Sequence, residues 1–149
     1  MFKKILPPTT KRVQNNTSPN VNNEIRNQTI SNLNTYKSAD VNILNDRIDR
    51  LNNECDIERV MQTNTASMIL LSSIIGLKKS KWFILTGIIG FFMLQHSIKG
   101  NCPLLPIARK MGVRTATEIN NEITVLKMAR GDFANIPDNA EDMLNIAEK

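Results

Sequence analysis

Two charge-free stretches, residues 60–77 and 82–98, constrain this chain more than any other feature of its sequence. A short basic turn, Lys78-Lys79-Ser80-Lys81, separates them. As α-helices they would be roughly 27 and 26 Å long, slightly less than the roughly 30 Å of hydrocarbon in a bilayer. Flanking Lys and Arg side chains can snorkel and a bilayer can thin locally, so this shortfall is tolerable. The pattern predicts an antiparallel hairpin of two transmembrane helices.

The second stretch is the stronger candidate for a transmembrane helix. It is apolar on every face, which is not typical of a helix that is half exposed to water. The first stretch is weaker, because Gln62, Asn64 and Thr65 leave only residues 66–77 as its apolar part. The alternative is a helical hairpin in the core of a soluble bundle, and the uniformly apolar second stretch argues against it.

The first 37 residues carry six basic side chains and a single acid, so they hold the whole formal net charge of +5. They are rich in Asn, Thr and Pro and have too few apolar residues to fold alone, so residues 1–37 are predicted to be a disordered basic tail. Attraction to anionic lipid is the simplest role for such a tail. Nucleic-acid binding is not expected, because no aromatic residues are interleaved with the basic ones.

Charge distribution also predicts the orientation in the membrane. Pro7-Pro8 interrupts the apolar segment that a secretory signal would need, so the N-terminus is expected to stay in the cytoplasm. The outer ends of the two stretches carry seven nearby positive charges, against three in the turn. These seven are Arg47, Arg50, Arg59, Lys99, Arg109, Lys110 and Arg114. We therefore expect a multi-pass protein of the bacterial inner (cytoplasmic) membrane with both termini cytoplasmic.

The regions on either side of the hairpin are predicted to be amphipathic cytoplasmic helices. Residues 38–59 form one helix candidate, which Asp40 can cap and which can continue unbroken into the membrane. Its apolar residues step by three and four and are Val41, Leu44, Ile48, Leu51 and Cys55. This seam can pack on neighbouring helices or act as a dimerisation zipper.

Residues 99–149 are predicted to form short helices. Gly100, Cys102 and Pro103 make a turn at the membrane edge, which is followed by a helix from Pro106 to Met111. A capping box at residues 115–118 begins a longer helix that ends near Gly131, and Asp138 begins a last amphipathic turn.

Small residues predict how the hairpin closes. Ser72 and Gly76 are four apart in the first stretch, and Thr86 and Gly90 are four apart in the second, with Gly87 between them. Small side chains allow close approach of two helix backbones in a membrane. These five residues are the predicted helix-packing positions.

The chain resembles a known family in the second stretch and the turn after it. The segment from Gly87 to Phe92 and the sequence Gly100-Asn101-Cys102-Pro103-Leu104 are similar to the YgaP-like inner-membrane two-helix domain. Flanking residues extend this resemblance, in a longer bacterial version, from Asp46 to Phe133. Asn101 and Cys55 depart from the pattern, because the family favours an aromatic residue at the first position and Trp at the second. The resemblance implies an inner-membrane hairpin, and it defines no activity. Some relatives join this domain to a rhodanese sulfurtransferase domain, which is not present in this sequence.

Two hypotheses about function follow. The first is a non-catalytic membrane protein that anchors or scaffolds a partner, which could be a second copy of the chain, and in which Cys102 is a small structural residue. The alternative is a thiol-dependent sulfur-handling or transport component that uses Cys102, with His96 nearby. A zinc site is not expected from two Cys and one His without a closely spaced pair. The sequence shows no catalytic motif and implies no cofactor or metal.

Overall fold

The computed structural model describes residues 8–134, 139 and 142–144. Within these residues the regular secondary structure is entirely helical. The helices are α1 (Arg12–Asn15), α2 (Pro19–Tyr36), α3 (Val41–Asn52), α4 (Ile57–Gly76), α5 (Trp82–Lys99), α6 (Leu105–Lys110) and α7 (Ala116–Arg130). Most of the predicted last turn from Asp138 lies outside the described residues. The chain divides into two compact units, residues 1–25 with 55–116, and residues 26–54 with 117–149.

Helices α4 and α5 of the first unit run antiparallel and are in contact along their length. The side-chain hydroxyls of Ser72 and Thr86 are 2.7 Å apart and hydrogen-bonded. Gly76 is buried, and a Cβ added to it would lie 3.0 Å from the ring of Phe83.

Gly87 and Gly90 differ from the other three predicted helix-packing residues in how closely they are packed. A Cβ added to Gly87 or Gly90 would meet nothing within 4 Å. Neither glycine is therefore closely packed against α4, even though Gly90 lies on the same face of α5 as Thr86. The prediction that these glycines close the helix pair is not met.

Residues 38–59 were predicted to form one helix that could continue into the first apolar stretch, and the structure breaks this helix. Helix α3 ends at Asn52 and α4 begins at Ile57. Asp56 caps α4, since its carboxylate accepts a hydrogen bond from the Arg59 amide at 2.8 Å. The Ile57 amide donates to the carbonyl of Arg114 at 2.8 Å. Two of the amides that a new helix leaves without intrahelical partners are therefore satisfied, which stabilises the break.

The N-terminal segment also differs from its prediction as a disordered tail, because residues 12–15 and 19–36 are helical. Pro19 is the first residue of α2, a position where a missing amide proton costs nothing. Val13 is 3% exposed and packs in the core of the first unit. The other buried members of that core are Ile57, Met61, Cys102, Leu105 and Ala108. Long-range contacts of a few apolar side chains thus order a segment whose composition alone favours disorder.

The second unit is built around α3 and α7. Leu44, Ile48 and Leu51 of α3 pack with three buried residues of α7, namely Ile119, Ile123 and Leu126. The predicted seam is therefore buried over these three residues of α3, while Val41 and Cys55 at its ends are exposed.

Charged side chains join the same two helices. Arg47 donates twice to one carboxylate oxygen of the fully buried Glu122, at 3.1 and 2.7 Å. Its guanidinium also lies 5.3 Å from the centre of the Tyr36 ring. At the end of α7, a side-chain hydrogen bond to Asp132 raises the pKa of Arg130.

The helix pair α4–α5 differs from the second unit in how much apolar surface it leaves uncovered. Large apolar side chains such as Leu70, Ile84 and Phe91 are 62%, 68% and 63% exposed. Within the described residues, α5 is the one helix that is both long and apolar enough to cross a membrane. Helix α4 has 20 residues but begins with charged and polar side chains, which lowers its mean hydropathy. Of the two predicted spans, α5 therefore meets the requirements of length and apolar composition, and α4 does not.

Candidate functional site

The candidate site lies where the first turns of α4 meet the end of α5. Glu58 and Met61 come from α4, His96 from α5, and Cys102 from the turn that follows α5. The cap at Asp56 and the Ile57–Arg114 hydrogen bond fix the start of α4, and so they fix the direction in which the Glu58 and Met61 side chains extend.

Gly100 shapes the other side of the site. It is buried and adopts a left-handed conformation, with φ +70°, that ends α5. A Cβ at this position would lie 2.9 Å from the backbone carbonyl carbon of Arg12. Glycine is therefore required both by the turn and by the close approach of α1. Asn16 reinforces this approach by donating to the carbonyl of Lys99 at 2.9 Å.

A network of polar side chains crosses this end of the helix pair. Arg12 donates to a carboxylate oxygen of Glu58 and to the carbonyl of Ser97, both at 2.8 Å. The second carboxylate oxygen of Glu58 lies 3.3 Å from Nε2 of His96. Because the carboxylate is an acceptor, this geometry favours the tautomer in which Nε2 carries the proton and donates to Glu58.

His96 is the single histidine of the chain, and it is 1% exposed. Its second ring nitrogen, Nδ1, is buried and has no hydrogen-bond partner among the described residues. In the favoured tautomer this nitrogen presents an unprotonated lone pair. A buried polar atom of this kind is rare in folded proteins and costs stability unless something binds it.

A cavity of about 270 Å³ lies beside this histidine. Its lining is almost wholly apolar and includes His96, Cys102 and three methionines, Met61, Met68 and Met93. The Cys102 sulfur lies 3.7 Å from the Met61 sulfur, and the thiol donates to the thioether. Sulfur atoms therefore reach the cavity from α4, from α5 and from the turn after α5, and α5 also contributes the buried imidazole.

The structure brings some of the predicted residues together and separates others. Cys102, His96 and Pro103 line one cavity, and Gly100 forms the left-handed turn before Cys102. Cys55 is exposed and does not line this cavity. Among the described residues, no group of three or more His, Cys, Asp or Glu side chains is arranged to hold a metal ion.

Sequence reasoning missed three residues of the site, namely Arg12, Glu58 and Met61. Arg12 was assigned to a disordered tail, so nothing in the sequence placed it beside a residue 85 positions away. Glu58 and Met61 are only three residues apart on α4, so they are neighbours on one side of the helix. The sequence could therefore have predicted that these two side chains lie together. It does not indicate which side chains of α5 they contact.

Among the described residues the first unit is helical, and one of its helices is long and apolar enough to cross a bilayer. Residues 50–117 match the family model for the transmembrane domain of YgaP-like inner membrane proteins. This match covers 68 of the 149 residues, and for this segment it confirms the resemblance seen in the sequence. No curated protein and no solved structure matches the chain.

Proposed function

We propose that this protein is a two-span inner-membrane anchor in which α4 and α5 both cross the bilayer and both termini are cytoplasmic. The observation that carries the proposal is the apolar surface that the helix pair leaves exposed, with Leu70, Leu77 and Ile84 more than 60% exposed. Helices that expose so many large apolar side chains are uncommon on soluble monomers, and such exposure is expected of a lipid-facing helix pair.

The polar groups of α4 agree with this placement. Glu58, in the first turn of α4, lies 3.3 Å from His96 near the end of α5, and Arg12 joins Glu58 to the carbonyl of Ser97. Both helices therefore carry their polar groups at the same end of the pair. The other end is the turn with three lysines. Apolar segments of the two helices then lie at one level between these ends, as a bilayer requires.

Accessibility of engineered cysteines tests the topology. In a protein with Cys55→Ser and Cys102→Ser, we introduce either Ser80→Cys in the turn or Ser38→Cys before α3. A membrane-impermeant thiol reagent added to spheroplasts is expected to label position 80 but not position 38. Labelling at 38, or no labelling at 80 without lysis, contradicts the proposed topology. Release of the protein by alkaline carbonate contradicts membrane integration itself.

The proposed role is non-catalytic: the hairpin holds the cytoplasmic helices, and any partner that binds them, at the membrane. Burial of Cys102 agrees with a role other than that of a solvent-accessible catalytic thiol. It is 8% exposed and its thiol is engaged by Met61. We expect Cys102 to be alkylated at least about tenfold more slowly than the exposed Cys55 in the folded protein, measured by mass spectrometry.

The sulfur-handling alternative is favoured by one observation, the position of Cys102 beside His96 in a shared cavity. A persulfide on Cys102 after growth with thiosulfate, absent from the Cys102→Ser protein, would establish that function and replace the anchor. Recovery of unmodified Cys102 under those conditions would support the structural role.

A further inference from the structure

We propose that the cavity beside α5 is a binding site for a soft monovalent metal ion, Cu(I) or its analogue Ag(I), held by Cys102, Met61 and His96. This inference goes beyond the anchor role and does not depend on it. It rests on the donor atoms, the tautomer of the histidine and the charge that the cavity can accommodate.

The donor set selects the class of ion. A thiolate and a thioether are soft ligands that favour Cu(I), and imidazole also binds copper. Zinc sites are almost always completed by four Cys, His or carboxylate ligands, and the described residues supply no such group here. Met68 and Met93 line the same cavity and add further thioethers along its wall.

The distance between the two sulfurs is compatible with a shared ion. With metal–sulfur bonds of about 2.3 Å, as in zinc thiolates, sulfurs 3.7 Å apart subtend an angle of about 107° at the metal. That angle is close to the tetrahedral value and leaves room for a third ligand. The weak S–H···S contact is then replaced: the thiol proton leaves to solvent and both sulfurs bind the ion.

The histidine has one ring nitrogen that is available to an ion. Glu58 accepts from Nε2, so the buried and unpartnered Nδ1 presents its lone pair, and His96 lines the cavity. Metal-binding histidines commonly donate their other ring N–H to a carboxylate, which fixes the tautomer and the ring orientation. Arg12 in turn holds Glu58 through its other oxygen. Glu58 is therefore a positioning residue for His96.

Charge balance favours a monovalent ion. One positive charge on the ion and one negative charge on the Cys102 thiolate sum to zero, which suits an almost wholly apolar cavity. A divalent ion would leave a net positive charge there, and burying such a charge is costly.

Competition for Cu(I) tests the site. The full chain is purified in mild detergent with Cys55→Ser, which removes the exposed thiol, and is titrated with Cu(I) under ascorbate against the chelator bicinchoninate. We expect one equivalent to be retained. Affinity is expected to fall roughly tenfold or more in Cys102→Ser, Met61→Leu and His96→Gln. Met128→Leu, which removes an exposed thioether elsewhere, should leave the affinity unchanged.

Failure to retain Cu(I), or retention that survives Cys102→Ser, overturns the proposal. A loss confined to Cys102→Ser would show binding by a lone thiol and would overturn it as well. A second measurement uses protein without substitutions in the cavity, so that misfolding of a variant cannot affect the result. Ag(I) is diamagnetic, and the single histidine gives one pair of imidazole nitrogen signals by NMR. One equivalent of Ag(I) is expected to shift the Nδ1 signal more than the Nε2 signal, and an unchanged Nδ1 signal refutes the site.

Discussion

Replacing Gly100 with alanine is expected to destabilise the first unit more than the same change at Gly112. Both glycines have positive φ, +70° and +83°, so each substitution carries the cost of a left-handed conformation in an L-residue. That cost is about 1 to 2 kcal/mol. The two glycines differ in the atoms around them. Comparing the stability lost in the two variants therefore isolates the effect of those neighbouring atoms.

At Gly100 the new Cβ would lie 2.9 Å from the backbone and side chain of Arg12, whereas at Gly112 it would meet nothing within 4 Å. A backbone neighbour cannot move aside as a flexible side chain can, so α1 must shift. Overpacking of this kind costs about 1 to 3 kcal/mol. The free energy of unfolding should therefore fall by about 2 to 5 kcal/mol for Gly100→Ala and by about 1 to 2 kcal/mol for Gly112→Ala.

Two measurements check this prediction. Urea unfolding in detergent, followed by circular dichroism, gives the loss of stability for each variant. The NMR signals of the single histidine report the site, because a shift of α1 moves Arg12 away from Glu58 and changes the acceptor beside His96. Gly100→Ala should shift these signals, and Gly112→Ala should not. Equal destabilisation, or histidine signals unchanged in both variants, would refute the proposed contact.

Two further predictions concern the other contacts between helices. In the second unit, Arg47→Met removes the guanidinium bound to the buried Glu122 and should cost about 3 kcal/mol, whereas Arg50→Met, at an exposed ion pair, should cost under about 0.5 kcal/mol by urea unfolding. Similar losses in the two variants would contradict the role of burial. In the helix pair, Gly76→Leu should reduce resistance to unfolding by SDS and Gly87→Leu should not, because a Cβ at Gly76 already touches α5 while one at Gly87 touches nothing. Sensitivity at Gly87 with tolerance at Gly76 would contradict the observed packing.

Local signals in the sequence predicted the helices well where a residue type fixes the backbone. The predicted stretches 60–77 and 82–98 correspond to α4 and α5, and Gly100 and Gly131, which were predicted at helix ends, each have positive φ. A glycine after an apolar helix reports a local conformational requirement, so it can be read from the sequence alone.

Interactions between distant segments were not predictable in this way. The tail was predicted to be disordered from composition, yet Val13 enters a core made by residues beyond position 56. The same applies to Gly87 and Gly90, because spacing by three or four finds small residues in a helix but not how closely the partner helix approaches them. For the candidate site, counting Cys and His gave no metal ligands, since the thioether of Met61 becomes a plausible donor only when the structure places it 3.7 Å from Cys102.

The hydrogen bond from Arg12 to the carbonyl of Ser97 spans 85 residues, and this separation bears on how the protein is synthesised. At about 5 to 20 residues per second, translation needs about 4 to 17 s to proceed from one partner to the other. During that time α1 has no completed α5 to dock on, and Glu58, made 46 residues after Arg12, becomes available first. The N-terminal segment must therefore remain soluble while the helix pair is produced, which its many Asn and Lys residues allow. A ribosome-bound chain that ends before residue 97 should accordingly show the N-terminal segment fully accessible to protease.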